Sequence, residues 1–322
     1  MGGLPKIYEI ERLKGMMEHK IQQVIDEVEK VVKGKTAIVE KVLCTMLAGG
    51  HILLEDIPGV GKTTLAMTVA KAVDLSYKRV QFTPDVLPSD LVGFSMYNNV
   101  TREFEYRPGA IFANLFLADE INRTSPKTQS ALLEAMEEGK VTVDGKSHDL
   151  PAPFTVIATQ NPVGSSGTQM LPESQLDRFM VCLSMGYPDH KDAVDILKND
   201  GAKTMKDVKA VISETEWQER KDQAEICHVS DELYDYVIRI TEETRKNSYI
   251  QLGASPRGGI ALVRMARARA VMEGRDYVVP EDIEQVFFDV MGHRVKISSK
   301  AKAEGISVVM VLDEIFHLVK LR

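Results

Sequence analysis

The 322-residue sequence predicts an α/β protein: a core built on a parallel five-stranded sheet with inserted β-hairpins, followed by a small all-α domain. Three observations support this. Five short apolar runs alternate with helix-like or hairpin-like sequence, the pattern of a parallel sheet covered by helices on both faces. A glycine-rich loop joins the first run directly to a helix. Past Tyr187-Pro188-Asp189 the strand signal fades and helical sequence takes over.

In chain order, residues 11–48 read as helical, because Ile21, Val24, Ile25, Val28, Val31 and Val32 recur at three- and four-residue spacing. Gly34 interrupts the stretch, a second helix runs from Thr36 to Leu47, and Gly49-Gly50 ends it. Strands are expected at His51–Glu55, Lys78–Thr83, Ala113–Asp119, Phe154–Gln160 and Phe179–Met185. Two segments read as hairpins. Phe94–Tyr106 has Asn98-Asn99 between strand-like halves, and Lys140–Leu150 contains Asp144-Gly145, a strong type I′ turn signal. Farther on, Asp231–Thr244, Ser255–Gly274 and Pro280–Met291 read as helices, and Pro256 and Pro280 suit a first helical position. The expected domains are 1–187, α/β with N-terminal helices, and 188–322, a helical lid.

A formal net charge of −7 argues against a dedicated nucleic-acid binder, which ordinarily carries a basic face. Cys44, Cys182 and Cys227 show no C-x-x-C spacing and read as thiols of a reducing compartment. No uncharged apolar run is long enough to cross a bilayer, so no membrane insertion is expected. The start, MGGLPKIYEIERLK, lacks a signal-peptide core, and Lys6 breaks the myristoylation pattern. The expected location is cytoplasmic.

The chemistry centres on ILLEDIPGVGKTT, residues 52–64. Strand, loop and helix follow in the order a phosphate-binding P-loop needs, although Asp56 stands where G-x-x-x-x-G-K-[ST] has its first glycine. In Pro58-Gly59-Val60-Gly61-Lys62-Thr63-Thr64, the glycines let backbone N–H groups curl toward the β- and γ-phosphates of a nucleotide. Lys62 adds a charge that reaches those oxygens, and Thr63 offers a hydroxyl to Mg2+. Asp56 lies ahead of the cradle, so it is expected to point away from phosphate, toward solvent or a basic neighbour. On that expectation Asp56→Gly leaves ATP binding largely intact.

A P-loop also needs an acid at the end of a neighbouring strand. ANLFLADE supplies it: an apolar strand ends in Asp119, placed to hold magnesium's hydration shell, and Glu120, placed to polarise an attacking water as general base. Asn161, after the fourth strand, is a candidate for positioning that water. Arg178 is a candidate for stabilising transition-state charge, against the plainer reading of a surface arginine paired with Asp177. Arg257 falls in the first turn of a lid helix, where a cation opposes the helix dipole, so an anionic partner is expected and the γ-phosphate is the natural one. Arg264, Arg267 and Arg269 do not share one helical face and read as the polar side of a solvated lid helix.

The blocks AGGHILLEDIPGVGKTTLA, ANLFLADEINRTSPKTQSALLEAMEEGKVTV, FTVIATQNPVG, LPESQLDRFM and GASPRGGIAL resemble the MoxR family of AAA+ ATPases, in the helix-2-insert clade. With their spacing they cover most of residues 34–290. The resemblance implies Walker A at Gly59–Thr63, Walker B at Asp119-Glu120, sensor 1 at Asn161 and sensor 2 at Arg257. It implies that the hairpins are the clade's two inserts, and that Val32 and Gly34 lie near adenine, with KGK in place of the usual Gly-Gln. RPGAIF has Ala110 where the family usually has proline.

The same resemblance implies ATP and Mg2+ as cofactors and a homo-oligomeric ring, a hexamer, in which an arginine reaches the neighbour's nucleotide. Arg178 is favoured for that role, with Arg123 its rival. The function it implies is an ATP-driven, chaperone-like motor that matures or activates partner proteins, among them proteins with von Willebrand factor A domains. The rivals are a nucleic-acid motor or metal-chelatase motor subunit of the same clade, and an ATP-gated assembly scaffold.

Overall fold

The computed structural model describes residues 19–161, 170–199 and 205–321. The helix expected before residue 19 and residues 162–164 of FTVIATQNPVG lie outside the described residues. Residues 19–29 form α1 and Thr36–Leu47 form α2. Gly34 between them has φ of 63°, a left-handed conformation that breaks one apolar pattern into two helices.

The strands are β1 Ile52–Glu55, β2 Tyr77–Gln81, β3 Phe94–Asn98, β4 Glu103–Arg107, β5 Leu115–Asp119, β6 Lys140–Val143, β7 Lys146–Asp149, β8 Thr155–Gln160 and β9 Val181–Leu183. Five of them make the expected sheet in the order β2-β5-β8-β1-β9, parallel throughout. β5 and β8 are buried at every position, as central parallel strands covered on both faces must be. The register sets Gln81 beside Asp119 and Glu55 beside Gln160, which gathers the polar strand ends along one edge.

β3–β4 and β6–β7 are separate antiparallel hairpins. Asp144 and Gly145 both have positive φ, 50° and 75°, as a type I′ turn requires. In the other hairpin the turn is longer than Asn98-Asn99. The Asn98 side chain accepts from Val100 N at 2.9 Å, and Arg102 takes a φ of 57°. The hairpins meet where Tyr106 stacks on His148 at 3.7 Å. Ala110 N donates to Asp90 O at 2.9 Å, a bond that proline at this position could not make.

The helices after β1 are α3 Lys62–Ala72, α4 Pro88–Val92, α5 Pro126–Glu138, α6 Glu173–Leu176, α7 His190–Asn199, α8 Glu214–Ile226, α9 Asp231–Lys246, α10 Pro256–Met272, α11 Pro280–Met291, α12 Ser299–Ala303 and α13 Val308–Leu318. The lid also carries a short antiparallel ladder, β10 Ile250–Leu252 with β11 Lys296–Ile297. α10 differs from the solvated helix read from its arginines. It is the hub of the lid, packed against α2, α8, α9 and α11, and Ala261, Leu262, Met265 and Ala268 are buried while Ile260 is exposed. Its alanines and its glycine pair let neighbours approach closely, which a polarity pattern alone does not reveal. One continuous apolar cluster joins Leu54 and Leu117 of the sheet, Leu43 of α2 and Val69 of α3 to Trp217, Leu262 and Phe287 of the lid. A second cluster, with Leu53, Phe116, Val156 and Leu132, covers the other face.

Candidate active site

The P-loop follows β1 at the C-terminal edge of the sheet, where parallel sheets bind ligands. Gly59 and Gly61 have φ of 86° and 94°, so both positions need glycine for conformation. Neither is crowded: a Cβ at Gly59 would meet nothing within 4 Å. Gly61 is also the N-cap of α3, and no side chain caps that helix, so its first amides face the loop. Lys62 Nζ donates to the carbonyls of Asp56 at 2.6 Å and Ile57 at 3.2 Å. Burial lowers its pKa, opposed by the carboxylates of Asp56, Asp119 and Glu120. Pro58 and Val60 shape the loop, and Thr63 and Thr64 stand in the first turn of α3.

Asp56 lies near enough to the Lys62 ammonium for its charge to be felt there, but it does not face solvent. It is buried, and its Oδ2 accepts from Ser184 Oγ at 3.2 Å, from Gly186 N at 3.2 Å and from Met185 N. The carboxylate therefore ties the entry of the P-loop to the segment leaving β9. A glycine at this position would forfeit that tie, so Asp56→Gly is no longer expected to be harmless.

The two acids sit in a closed polar network. Asp119 accepts from Thr159 Oγ1 on Oδ1 at 2.7 Å and from Arg79 on Oδ2 at 2.7 and 3.1 Å. Glu120, whose φ is +58°, anchors its N–H on Thr159 Oγ1 at 2.8 Å. Its Oε2 accepts from Gln81 Nε2 at 2.8 Å and Arg123 Nη1 at 2.6 Å. Asn161 follows Gln160 at the same edge and is partly exposed. The Thr63 hydroxyl and the Asp119 carboxylate are hard oxygen donors of the kind Mg2+ takes, so the residues present fit that ion. Arg123 serves the acid of its own chain.

Val32 is buried in the α3-side core, and Gly34 lies so close to Asp192 that a Cβ there would collide with its carboxylate. Lys35 Nζ reaches the carbonyls of Met185 at 2.5 Å and Tyr187 at 2.9 Å. The loop expected near adenine thus adjoins the same post-β9 segment that Asp56 grips.

Arg178 and Arg257 are brought together, but at the other edge of the sheet. Arg178 precedes Val181, which pairs with Ile52 at the start of β1, whereas the P-loop follows the end of that strand. Four residues of β1 alone span about 10 Å or more. The anionic partner of Arg257 in this chain is Glu137, at the end of α5, not its own phosphate site. Arg178 pairs with the other oxygen of Glu137 at 3.3 Å, not with Asp177. Asp177 instead accepts from Arg294 Nε at 2.9 Å and Ser255 Oγ at 2.7 Å. A cavity of about 210 Å³ at this edge is lined by His51, Glu137, Arg178, Arg257, Arg264 and Arg294, among others. A larger one, about 850 Å³, lies between α8, α9 and α10 and takes no P-loop residue.

Sequence reading missed Arg79, Gln81, Thr159, Glu137 and Arg294. Arg79 and Gln81 left one trace: polar residues two apart at the end of a strand share a face. The others become visible only through tertiary contact.

A family model for the ATPase family associated with various cellular activities (AAA) matches residues 51–181, and one for the AAA lid domain matches residues 242–315. YeaC of Bacillus subtilis is 47% identical over 92% of this chain and 93% of its own length. Chaperone MoxR1 of Mycobacterium tuberculosis is 38% identical over 94% of this chain and 82% of its own. A solved structure of a candidate ATPase from Cytophaga hutchinsonii superposes with a TM-score of 0.89 at 39% identity, covering 98% of this chain and 99% of that one. With these likenesses over nearly its whole length, and with a P-loop core, two inserted hairpins and a lid, the chain belongs to the MoxR family of AAA+ ATPases.

Proposed function

We propose that the chain is an ATP-hydrolysing, chaperone-like remodelling motor of the cytoplasm that works as a homo-oligomeric ring, a hexamer, and matures or activates client proteins. One observation carries the ring: Arg178 and Arg257 share an edge of the sheet opposite their own P-loop. Guanidiniums so placed can serve a nucleotide only if it is held by a neighbour, and head-to-tail contacts of that kind close into rings. The clients, von Willebrand factor A domain proteins among them, are inferred from family membership. The β3–β4 hairpin offers them exposed Phe104 and Val100, 73% and 92% accessible, on a surface the ATPase core does not use.

In the reaction, the amides of Gly59–Thr64 and the Lys62 ammonium cradle the β- and γ-phosphates. Thr63 and Asp119 would hold Mg2+, which when bound neutralises phosphate charge. Glu120, fixed by Gln81 and Arg123, takes a proton from the water that attacks the γ-phosphorus as the bond to the β-phosphate oxygen breaks. Asn161 orients that water, and the neighbour's Arg178 and Arg257 meet the charge that develops.

The roles separate cleanly by substitution. Glu120→Gln should bind ATP and assemble without turnover, while Lys62→Ala should fail to bind, both read by nucleotide-binding and phosphate-release assays. Turnover at the unsubstituted rate in Glu120→Gln would refute the catalytic assignment. Capture of a folded client by the Glu120→Gln ring in the presence of ATP would identify what the motor acts on.

A further inference from the structure

The turn that carries Arg178 is gripped by a buried side chain from the lid. Arg294 follows α11 and is 7% exposed. Its Nε donates to Asp177 Oδ1 at 2.9 Å, its Nη2 to Asp177 O at 3.3 Å and Phe179 O at 2.6 Å, and its Nη1 to Met180 O at 2.9 Å and Val290 O at 2.5 Å. Four of these five acceptors flank Arg178 on both sides. Neighbouring lid residues add to the grip. His293 Nε2 bonds Phe179 O at 3.0 Å, Ser255 Oγ donates to Asp177 Oδ2 at 2.7 Å, and Lys296 Nζ reaches Glu173 of α6 at 2.5 Å.

A buried guanidinium is a costly way to fasten one unit to another. It must be stripped of water, and an apolar side chain of similar size would hold the seam without that penalty. What the guanidinium adds is geometry: a rigid, planar fork that fixes its acceptors relative to one another. With Asp177, Phe179 and Met180 fixed, the backbone of Arg178 has no independent freedom.

We infer that Arg294 is a positioning residue for Arg178, making the lid and the trans-acting arginine of one subunit a single mechanical unit. This rests on the reading that Arg178 acts on a neighbour's nucleotide. When the lid moves, Arg178 moves with it, and the next subunit's phosphate registers the change.

Mixed rings test both levels. Glu120→Gln subunits cannot turn over but present Arg178, and Arg178→Ala subunits keep their own site but present Arg257 without Arg178. Mixing the two should restore ATP turnover well above either alone. Donors carrying Glu120→Gln with Arg294→Lys, matched to Glu120→Gln in ATP binding, should restore at least tenfold less. The same Arg294→Lys change placed in the Arg178→Ala acceptor should leave rescue intact, because there it positions no arginine that is used. Equal loss in donor and acceptor would mean a merely structural role, and equal rescue by both donors would mean no role; either overturns the inference. If Glu120→Gln does not rescue Arg178→Ala at all, the trans reading falls and the inference falls with it. Should Arg294→Lys fail to fold, Asp177→Asn, which takes away the carboxylate that Arg294 grips, carries the same donor-against-acceptor comparison.

Discussion

The two edges of the central sheet are built on different principles. At the C-terminal edge, two aspartates are buried and internally answered: Asp56 by backbone amides and a hydroxyl, Asp119 by Thr159 and Arg79. At the N-terminal edge, Glu137 pairs with Arg178 and Arg257 in the open, their side chains 31–47% accessible. Exposed ion pairs of this kind are worth about 0–1 kcal/mol. They do little to hold the fold, and on the ring proposed above a neighbour's phosphate would displace Glu137 at small cost. On the proposed function, the first edge serves a ligand of its own chain and the second one supplied from outside.

The sharpest way to break that contrast is to remove one cation from each edge. Lys62→Ala should abolish ATP binding. Arg178→Ala should leave binding near normal and lower turnover by about 10³-fold or more, the usual worth of a trans-acting arginine. Parallel nucleotide-binding and ATPase measurements, over a range of protein concentration, read the difference. Turnover by unsubstituted protein that does not depend on assembly would collapse the distinction between the edges.

A smaller effect separates buried from exposed acids. Asp56→Gly should strand the amides of Met185 and Gly186, cost about 1–3 kcal/mol of stability, and weaken ATP binding on the order of tenfold by freeing the loop's entry. Glu137→Gln breaks two exposed pairs and should cost less than about 1 kcal/mol. Denaturant melts of the two variants order the costs, and a larger loss for Glu137→Gln would mean that its pairs are structural after all.

The same contrast explains what could be read from sequence. The nucleotide edge was legible because its chemistry is local. Gly59, Gly61, Lys62 and Thr63 are nearly consecutive, and Asp119-Glu120 ends a run whose burial demands apolar residues. What differs there, the partners of Asp56, depends on amides that arrive more than 120 residues later. The arginine edge was legible only as a list of candidates. Arg178, Arg257 and Glu137 come from three separate elements, and no spacing rule states that one carboxylate joins them. Arg294 left no trace at all, since a lone arginine after a helix reads as surface.

Acid supplies the mildest test of the comparison, because two histidines, the buried His51 and the half-buried His293, sit at the arginine edge. His51 accepts from Val156 N at 3.0 Å through Nδ1 and bonds Met136 O at 2.9 Å through Nε2, and burial pushes its pKa down to about 4. His293, against Phe179, is pushed down to about 3 by burial and by the adjacent Arg294. Both are neutral when folded, while the unfolded chain protonates them near pH 6.5. Between those values the unfolded state binds more protons, so the stability these residues support is complete above about pH 6.5 and drains away as pH falls toward 4 and then 3. Asp289, whose pKa burial raises, opposes the trend, since the folded chain there binds a proton that the unfolded chain has already released. Protection against hydrogen exchange, taken relative to the intrinsic rate at each pH, should therefore fall between pH 7 and 5 at residues 177–180 before it does at residues 59–64, and His51→Asn, which keeps an acceptor for Val156, should flatten the fall of stability with pH. If the loop at residues 59–64 opened first, or the slope for His51→Asn matched that of the unsubstituted protein, the histidines would not be what makes the arginine edge the softer one.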